Sequence, residues 1–270
     1  MNTLFHLLPT TAISLAQDQG WYEPPTFAEE GFIHCSFLHQ VIPTANRHYS
    51  GESNLSLLEI DPRALTDVRV ENLYGGSDNF PHIYSRLPWS AVRRIHAIKP
   101  DSTGNWMSRN SALTLFDALD SVETDTLIGQ WQGYGFPTGH PMDGLLEATG
   151  WYGKEFITTE QVHPLLFSDS QGSLYKISPH PWMMTMARQF SIPKIGAIQP
   201  LFELFNRPFR TEQSQAHLRM TRCRGKVSAT MIYDYLPIHD SFRQVDTKTL
   251  LGLMDDKGSP EQFFFVLTRH

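Results

Sequence analysis

The stretch that most constrains the fold is GKVSATMIYDYL, residues 225–236. Its residues Val227, Ala229, Met231 and Tyr233 fall on alternate positions, with mostly polar residues between them. Because successive side chains of a β-strand point to opposite faces, this alternation predicts a strand with one apolar and one more polar face.

Two further segments predict neighbouring strands in the same sheet. Residues 250–254 and 263–268 are short apolar runs, and the turn sequence DDKGSP lies between them. Several strands joined by tight turns indicate an antiparallel meander that closes into a barrel. From Leu174 onward we therefore expect mainly β-structure.

A loop signature divides the chain. PDSTGN, at 100–105, consists of residues that favour turns, and no periodic pattern crosses it. We therefore predict a first domain at 1–100, a linker at 101–107 and a second domain at 108–270, which opens with a helix from Ser108 to Val122. The expected fold class is α+β: a small α+β domain followed by a mainly antiparallel β-barrel with one or two helices.

Composition narrows the functions to be considered. The net charge is −6, from 22 Lys+Arg against 28 Asp+Glu, and no long basic run occurs, so nucleic-acid binding is not expected. Two cysteines make neither a disulfide framework nor a zinc quartet. No stretch reaches the ~18 apolar residues of a membrane span, and the N-terminus lacks a signal-peptide pattern. We expect a cytoplasmic protein, and its oligomeric state stays open.

Polar side chains interrupt two apolar strands of the first domain. FIHCS carries His34 and Ser36, and FPHIY carries His82 and Tyr84. Residues two apart in a strand share a face, so each pair should project together. If the two strands lie side by side, two imidazoles, a hydroxyl and a phenol converge on one pocket.

The helix predicted between these strands could add two more side chains, Arg47 and Tyr49. Such a set can bind an anionic ligand with an aromatic ring, such as a nucleotide, or transfer a proton. The predicted catalytic residues are His34, Tyr49 and His82, and the predicted ligand-binding residues are Ser36, Arg47 and Tyr84. The alternative is that each strand histidine is a hydrogen-bonded core residue.

Motifs of the first domain support the nucleotide interpretation. EEGFIHCS, TANRHY, LLEIDP and FPHIYSRLP together resemble the bacterial family called domain of unknown function nine hundred fifty-two. The resemblance implies a fold similar to the ADP-ribosyltransferase superfamily, in which a strand His and a later Tyr or His hold the nicotinamide and ribose of NAD. His34 would be the first of these, and Tyr49, or His82 with Tyr84, the later members. The catalytic Glu of toxin-like transferases has no clear counterpart, with Glu71 as a stand-in, so binding of NAD or another nucleotide is expected rather than ADP-ribosyl transfer.

The second domain carries motifs of its own. GQWQG, centred on Trp131, resembles the G-x-W-x-G family. RGKVSATMIYDYLPIHDSFRQVD, LLGLMDDKG and FFFVLTRH resemble the domain that usually follows it, domain of unknown function four thousand three hundred thirty-four. Together they imply a calycin-like β-barrel, similar to fatty-acid-binding proteins and lipocalins. Such a barrel has an internal cavity for an apolar small molecule, such as a lipid or isoprenoid.

Several side chains of the second domain are candidates for this cavity. Methionines and aromatic rings suit adaptable apolar sites. The residues predicted to line the cavity are Met220, Met231, Tyr233, Phe242, Met254, Phe263 and Phe265. Trp131 is predicted to contact the ligand, to fill the core or to cap one end of the barrel. The same residue types also suit a plain core.

A polar group lies at the end of the 225–236 strand and in the turn that follows. It consists of Tyr233, Asp234, His239, Asp240 and Arg243. An Asp beside a His can orient and charge the imidazole, as acid–base chemistry requires. Tyr233, His239 and Asp240 are therefore the predicted catalytic residues, and Asp234 and Arg243 are predicted to bind the ligand. The alternative is an ion-pair network that braces the turn.

His140 and Asp143 form a second such pair, at the start of a helix predicted from Pro141 to Gly150. We predict that both bind the ligand, with a helix-capping role for His140 as the alternative. The spacing of the histidines does not match a zinc-binding motif.

Three functions follow from these patterns. The first is a binding protein whose barrel holds an apolar small molecule, with a nucleotide- or phosphate-binding first domain. The second is an isomerase or cyclase that uses Tyr, His and Asp side chains in the barrel. The third is an NAD-consuming transferase in the first domain.

Overall fold

The computed structural model describes residues 2–76, 78–101, 104–169, 171–180 and 198–269. The chain divides into two compact units, residues 1–115 and 116–270. Of the predicted linker, residues 102 and 103 lie outside the described residues, and so do 181–197 in the stretch expected to be mainly β.

Short strands and helices alternate along the first unit. Its strands are β1 (Leu4–Pro9), β2 (Trp21–Tyr22), β3 (Ile33–His34), β4 (Leu55–Ile60), β5 (Val68–Glu71), β6 (Phe80–Ile83), β7 (Leu87–Pro88) and β8 (Val92–Ile98). Its helices are α1 (Ile13–Gln19), α2 (Phe27–Glu30) and α3 (Leu38–His48), with 3-10 turns at Thr10–Ala12, Pro62–Ala64 and Trp89–Ala91. Helix α4 (Arg109–Ala118) contains the point of division between the units.

The strands of the first unit form three antiparallel sheets. Their orders are β1-β4-β8, β3-β6-β5 and β2-β7. The central strand β4, LSLLEI, is buried along its whole length, which explains its nearly continuous apolar sequence. Its one charged residue, Glu59, is buried beside Arg94 and His96 of β8, each 3.1 Å from a Glu59 carboxylate oxygen. A short bridge from Phe5 of β1 to Ser36, just after β3, ties two of the sheets together.

Helix α3 packs on this framework through its apolar face. Leu38, Val41, Ile42 and Ala45 recur at helical spacing, and all four are buried. The helix begins where the backbone N–H of Phe37 donates to the Gln40 side chain, at 3.0 Å. This start fixes the segment that connects α3 to the end of β3.

The second unit is mainly β. Its strands are β9 (Gly129–Gly135), β10 (Trp151–Phe156), β11 (Val162–Ser168), β12 (Leu174–Lys176), β13 (Ala216–Cys223), β14 (Lys226–Tyr233), β15 (Ile238–Asp246), β16 (Thr249–Asp256) and β17 (Phe263–Thr268). Its helices are α5 (Thr124–Leu127), α6 (Leu145–Thr149) and α7 (Ile198–Asn206), followed by a 3-10 turn at Arg207–Phe209.

These nine strands form one antiparallel sheet that is nearly closed into a ring. Their order is β10-β9-β17-β16-β15-β14-β13-β11-β12, and an additional pairing of β10 with β11 brings the two sides of the sheet together. The meander from β13 to β17 is formed by successive antiparallel neighbours. The predicted α+β fold class is confirmed.

The predicted two-faced strand corresponds to β14. Ala229, Met231 and Tyr233 lie in the core of the sheet, as expected. Val227, expected on the same apolar face, is exposed instead. On the opposite, more polar face, Ser228 and Thr230 are buried. The segment before β9 covers this face: the Val122 N–H donates to Ser228 Oγ at 2.9 Å.

Glycines allow aromatic rings to lie directly on the sheet. A Cβ at Gly133 would lie 2.1 Å from the Trp151 ring, and one at Gly252 would lie 2.4 Å from the Phe265 ring. Side chains at these positions would displace both rings. The two rings also pack edge to face, with centroids 5.9 Å apart.

Two predicted helices are shorter in the structure. The helix expected from Ser108 to Val122 is α4, Arg109–Ala118, because the chain then turns to cover β14. The helix expected from Pro141 is α6, Leu145–Thr149, because a turn at 140–144 precedes it. Within the described residues, none of the helices has the length and apolar character needed to cross a membrane.

Candidate functional site

The first polar cluster lies where β3 and β6 pair. His34 stands directly opposite His82, with ring centroids 5.2 Å apart. Phe32 packs edge to face against both imidazoles, at 4.8 and 4.6 Å, and Tyr74 lies beside His34. The two imidazoles of the predicted set therefore lie side by side.

Two carboxylates border this cluster. Glu71 Oε1 accepts a hydrogen bond from the Tyr84 hydroxyl at 2.7 Å and lies 3.6 Å from His82 Nδ1. Glu30 Oε1 lies 3.2 Å from His34 Nε2. Glu71, the weak stand-in for a catalytic acid, thus lies within the cluster.

His82 is the most enclosed member. Its side chain is 1 % exposed, and neither ring nitrogen has a hydrogen-bond partner among the described residues. Burial lowers the pKa of His82, and the neighbouring His34 lowers it further. A neutral imidazole with unpartnered nitrogens can accept or donate a hydrogen bond to a ligand.

Three other predicted residues of the first unit lie elsewhere. The Tyr49 hydroxyl donates to the Leu7 carbonyl at 3.0 Å, because the end of α3 packs on β1, and burial raises its pKa. Ser36 is buried and bonds Thr44, since β3 ends at His34 and the chain then bridges to β1. Arg47 is exposed on α3.

The second candidate site is an apolar cavity in the second unit, with a volume of about 70 Å³. Its lining is mostly aromatic and aliphatic. The lining residues are Met142, Leu146, Trp151, Lys154, Leu165, Pro179, Tyr233, Asp240, Met254, Phe263 and Phe265.

One ion pair lies in this apolar lining. Lys154 Nζ is 2.8 Å from Asp240 Oδ2, and the two side chains are 3 % and 1 % exposed. Lys154 Nζ also donates to the Pro164 carbonyl at 3.2 Å. It lies 4.9 Å from the centre of the Phe265 ring and 5.7 Å from that of Trp151.

Burial sets the protonation behaviour of the cavity acids. It raises the pKa of Asp240, and the Lys154 ammonium opposes this shift. It also raises the pKa of Tyr233, which the nearby Asp240 raises further. Both groups are therefore held toward their neutral forms more strongly than in water.

The structure brings five residues predicted from sequence to the cavity, namely Tyr233, Asp240, Met254, Phe263 and Phe265, whereas the predicted Met220 is exposed. Met231 and Phe242 are buried in the surrounding core, and neither lines the cavity. The Phe242 ring supports the cavity wall from behind, with its centroid 6.1 Å from that of Phe265.

The predicted Tyr–His–Asp group is not assembled. His239 is exposed, while Asp240 is buried, because successive residues of β15 point to opposite faces. Asp234 lies outside the cavity and contacts His217 Nδ1 at 2.7 Å. An Asp–His pair does exist, but it lies at the surface and involves a different histidine.

Arg243 makes structural contacts outside the cavity and does not line it. It is fully buried on the face of β15 opposite Asp240, and burial lowers its pKa. Its guanidinium donates to the Cys223 carbonyl at 2.8 Å and lies 4.5 Å from the centre of the Phe116 ring. These contacts hold the end of α4 on the outside of the sheet, so Arg243 does not reach the cavity.

The remaining predicted residues also support local structure. Trp131 donates from Nε1 to the Leu127 carbonyl at 2.7 Å, and Arg269 stacks on its ring. Asp143 Oδ2 accepts three backbone N–H bonds, from residues 138–140, and His140 Nδ1 accepts one from Met142. Both side chains thus stabilise the turn before α6, and neither caps that helix, whose N-cap is Gly144.

Sequence reasoning missed Lys154 and Trp151. They are three residues apart, so in a regular strand they would point to opposite faces. Register shifts on either side of Gly153 change this alternation and let both residues line the cavity. The available signal was a lysine inside the aromatic-rich strand WYGKEF, which contains one other charged residue, Glu155. Within the described ranges, no group of three or more His, Cys, Asp or Glu side chains is placed to hold a metal ion.

Family models match the two units of the structure separately. Residues 7–95 match the family model described as Protein of unknown function (DUF952). Residues 114–172 match the model for GXWXG protein, and residues 214–269 match Domain of unknown function (DUF4334). The chain thus joins segments that match three different family models. The DUF952 segment contains the histidine cluster, and the other two segments contain nearly all of the cavity lining.

Solved structures with related sequences are also known. A protein from Thermomonospora curvata is 34 % identical, over 60 % of this chain and 88 % of that chain, with a TM-score of 0.43. Protein CC0527 from Caulobacter crescentus is 31 % identical, over 39 % of this chain and 93 % of that chain, with a TM-score of 0.37. Among curated proteins, none matches the chain.

Proposed function

We propose that the second unit binds a small, mainly apolar molecule in its cavity, with the Lys154–Asp240 pair as the polar anchor. The observation that carries this proposal is a buried ion pair in an otherwise apolar, aromatic-lined cavity. Ligand sites in proteins combine these features: apolar walls with a small number of placed polar groups.

The energetic cost of the pair supports a role beyond stability. Removing two charges from water costs several kcal/mol per ion, and a well-packed apolar pair in the same place is often equally or more stable. Lys154 and Asp240 are therefore energetically unfavourable residues for a core that serves stability alone. Their position on the cavity gives them access to a ligand.

The size of the cavity limits what it holds. Its volume of about 70 Å³ is less than half of the ~150 Å³ of an engineered cavity that binds benzene. In this conformation it admits a short molecule or the end of a longer lipid or isoprenoid. Met142 and Met254, which are unbranched and flexible, are the lining residues best able to enlarge it.

Binding is favoured over an acid–base reaction that uses Tyr, His and Asp. Tyr233 and Asp240 line the cavity, but His239 is exposed on the other face of β15. The set of groups expected for an isomerase or cyclase is therefore incomplete in this cavity.

The experiment uses methyl NMR of protein with ¹³C-labelled methionines, titrated with xenon as an apolar probe. We expect the methyl signals of Met142 and Met254 to shift, while that of the half-exposed Met220 does not. Native mass spectrometry of the purified protein tests in parallel for a co-purified small molecule.

A cavity-filling variant provides the control. Leu165→Trp should abolish the xenon-induced shifts, because Leu165 lines the cavity. Leu174→Trp adds the same side chain at an exposed position of β12 and should leave them unchanged. If wild-type Met142 and Met254 signals do not respond at saturating xenon, the proposal is wrong.

A second candidate function belongs to the first unit, where His34 and His82 are proposed to bind NAD or another nucleotide. The specific observation is the buried His82 imidazole, whose nitrogens lack partners among the described residues and which is surrounded by aromatic rings. Stacking on such rings and hydrogen bonds to histidine suit a nicotinamide or base.

Thermal unfolding in the presence of NAD tests this candidate. NAD at 100 times its Kd should stabilise the unit by about 2.7 kcal/mol. His82→Ala should remove the shift, and His48→Ala, an exposed histidine of α3, should retain it. An unchanged melting temperature at millimolar NAD would exclude this use of the cluster.

A further inference from the structure

Asp240 has an unused hydrogen-bonding position. Its Oδ2 lies against Lys154, but its buried Oδ1 has no hydrogen-bond partner within the described parts of the chain. Asp240 lines the cavity with a side chain that is 1 % exposed. A buried polar atom without a partner costs about 1–3 kcal/mol, so a ligand that supplies one gains affinity.

Trp151 has a hydrogen-bond donor without a partner, whereas Asp240 has an acceptor without one. Its Nε1–H is buried and finds no acceptor among the described residues, and Trp151 lines the same cavity. Indole Nε1 can only donate. The cavity therefore has one acceptor and one donor whose needs are not met by the described protein atoms.

Lys154 adds a second donor. An ammonium carries three N–H groups. Two oxygens of the described residues lie within reach of Lys154 Nζ, those of Asp240 and Pro164, which leaves one N–H for a further acceptor.

These needs discriminate between ligand classes. A hydrocarbon or an ether leaves Asp240 Oδ1 without a donor. A carboxylate brings a second negative charge to a site with one lysine, and an ammonium brings a second positive charge beside Lys154. A hydroxyl group is neutral, donates one hydrogen bond and accepts up to two.

A hydroxyl also suits either protonation state of Asp240. Burial raises the pKa of this carboxyl, which favours its neutral form, while Lys154 favours the ionised form. A hydroxyl can donate to the carboxylate or accept from the carboxylic acid. A ketone, which only accepts, and an ammonium, which only donates, each match one of these states alone.

We propose that the natural ligand of the cavity is a neutral alcohol, whose hydroxyl donates to Asp240 and accepts from Trp151 or Lys154, with its short apolar part against the aromatic wall. This inference rests on the proposed binding function and specifies the substrate class of that site.

Five small probes of nearly equal size test the class: 1-butanol, methyl propyl ether, pentane, butyrate and butylammonium. Binding is followed by the methyl signals of Met142 and Met254 in the full-length protein. We expect 1-butanol to bind about tenfold more tightly than its isomer methyl propyl ether, the equivalent of one hydrogen-bonded position. Butyrate and butylammonium should bind more weakly than 1-butanol.

Variants identify the groups involved. Trp151→Phe keeps an aromatic wall but removes the Nε1–H, and should reduce the preference for 1-butanol over the ether several-fold. Asp240→Asn should reduce it as well; where this variant folds poorly, Trp151→Phe keeps the test decisive. Phe263→Leu is the matched control, because it changes the lining without removing a polar atom, and should leave the preference unchanged.

The outcomes separate this inference from the binding function. Equal affinities for 1-butanol, ether and pentane would overturn the alcohol assignment and leave apolar binding intact. Tightest binding of butyrate would also overturn it and would make Lys154 the anchor. A failure of all probes, together with xenon, to shift the Met142 and Met254 signals would remove the binding function itself. An alcohol preference that survives both Trp151→Phe and Asp240→Asn would show that these groups do not create it.

Discussion

The Lys154–Asp240 pair is stable because each charge has the other as its partner. Neither side chain is exposed by more than 3 %, so a single truncation leaves the remaining charge buried and uncompensated. Removing one partner of a buried pair is far more costly than replacing both with apolar residues.

Unfolding by urea should show this asymmetry. We expect Lys154→Met to lower the free energy of unfolding by about 3–5 kcal/mol, because Asp240 then lacks its counter-charge. The double variant Lys154→Met, Asp240→Leu should recover most of this loss. A double variant that is as unstable as the single one would contradict the account.

His6 makes the stability of the first unit depend on pH. It lies on β1, where Nδ1 donates to the His34 carbonyl at 2.6 Å, and burial lowers its pKa from 6.5 to about 4. The folded protein therefore resists protonation that the unfolded chain accepts. Its contribution is fully present above pH 6.5 and is lost as the pH falls toward 4.

We expect the free energy of unfolding to fall by about 3 kcal/mol through His6 as the pH is lowered from 6.5 to 4. This value is the free-energy equivalent of the difference between the unfolded and folded pKa of His6. His6→Asn keeps a donor for the His34 carbonyl but does not titrate. Urea unfolding of both proteins across this pH range should give a shallower pH dependence for the variant. Parallel curves would show that His6 does not titrate as described.

At the scale of elements, the regular strands could be predicted and the irregular one could not. The alternation of β14 predicted that Ala229, Met231 and Tyr233 face the core, but it did not predict the burial of Ser228 and Thr230. The two strand histidines, His34 and His82, were found because polar residues stand out in apolar strands. The register shifts around Gly153 depend on pairing with β9 and β11, which local sequence does not encode. For this reason Lys154 was missed.

Contacts between residues far apart in the sequence also limited prediction within the first unit. Tyr49 was expected beside the histidines, but the direction of its side chain is set by the packing of α3 on β1. The exposure of His239 could have been predicted from strand alternation alone, once the boundaries of β15 were known.

The second glycine of the G-x-W-x-G motif, Gly133 on β9, lies against the Trp151 ring of β10. A Cβ at Gly133 would lie 2.1 Å from the Trp151 ring, so Gly133→Ala must displace that ring. We expect a loss of about 1–3 kcal/mol, typical of overpacking, together with altered near-UV circular dichroism. Gly76→Ala, where nothing lies within 4 Å of the added Cβ, should change neither quantity. An unperturbed Gly133→Ala variant would mean that the ring can move freely.

At the scale of the whole molecule, each unit has a hydrophobic core of its own. Among the described residues, one core cluster draws its buried residues from positions 4–91, and another draws them from positions 122–267. Neither cluster contains residues from the other unit. A single core mutation should therefore weaken the unit in which it lies.

Calorimetry of the full chain tests whether the two units unfold separately. We expect two thermal transitions, since each unit has the size and core of an ordinary domain. Leu58→Ala removes a fully buried side chain of the first core and Leu250→Ala one of the second, at a cost of about 2–5 kcal/mol each. Each variant should lower one transition by several degrees and leave the other in place. One shared transition that both variants lower equally would instead mean that the chain unfolds as a single cooperative body, so that a ligand held by one unit would stabilise both.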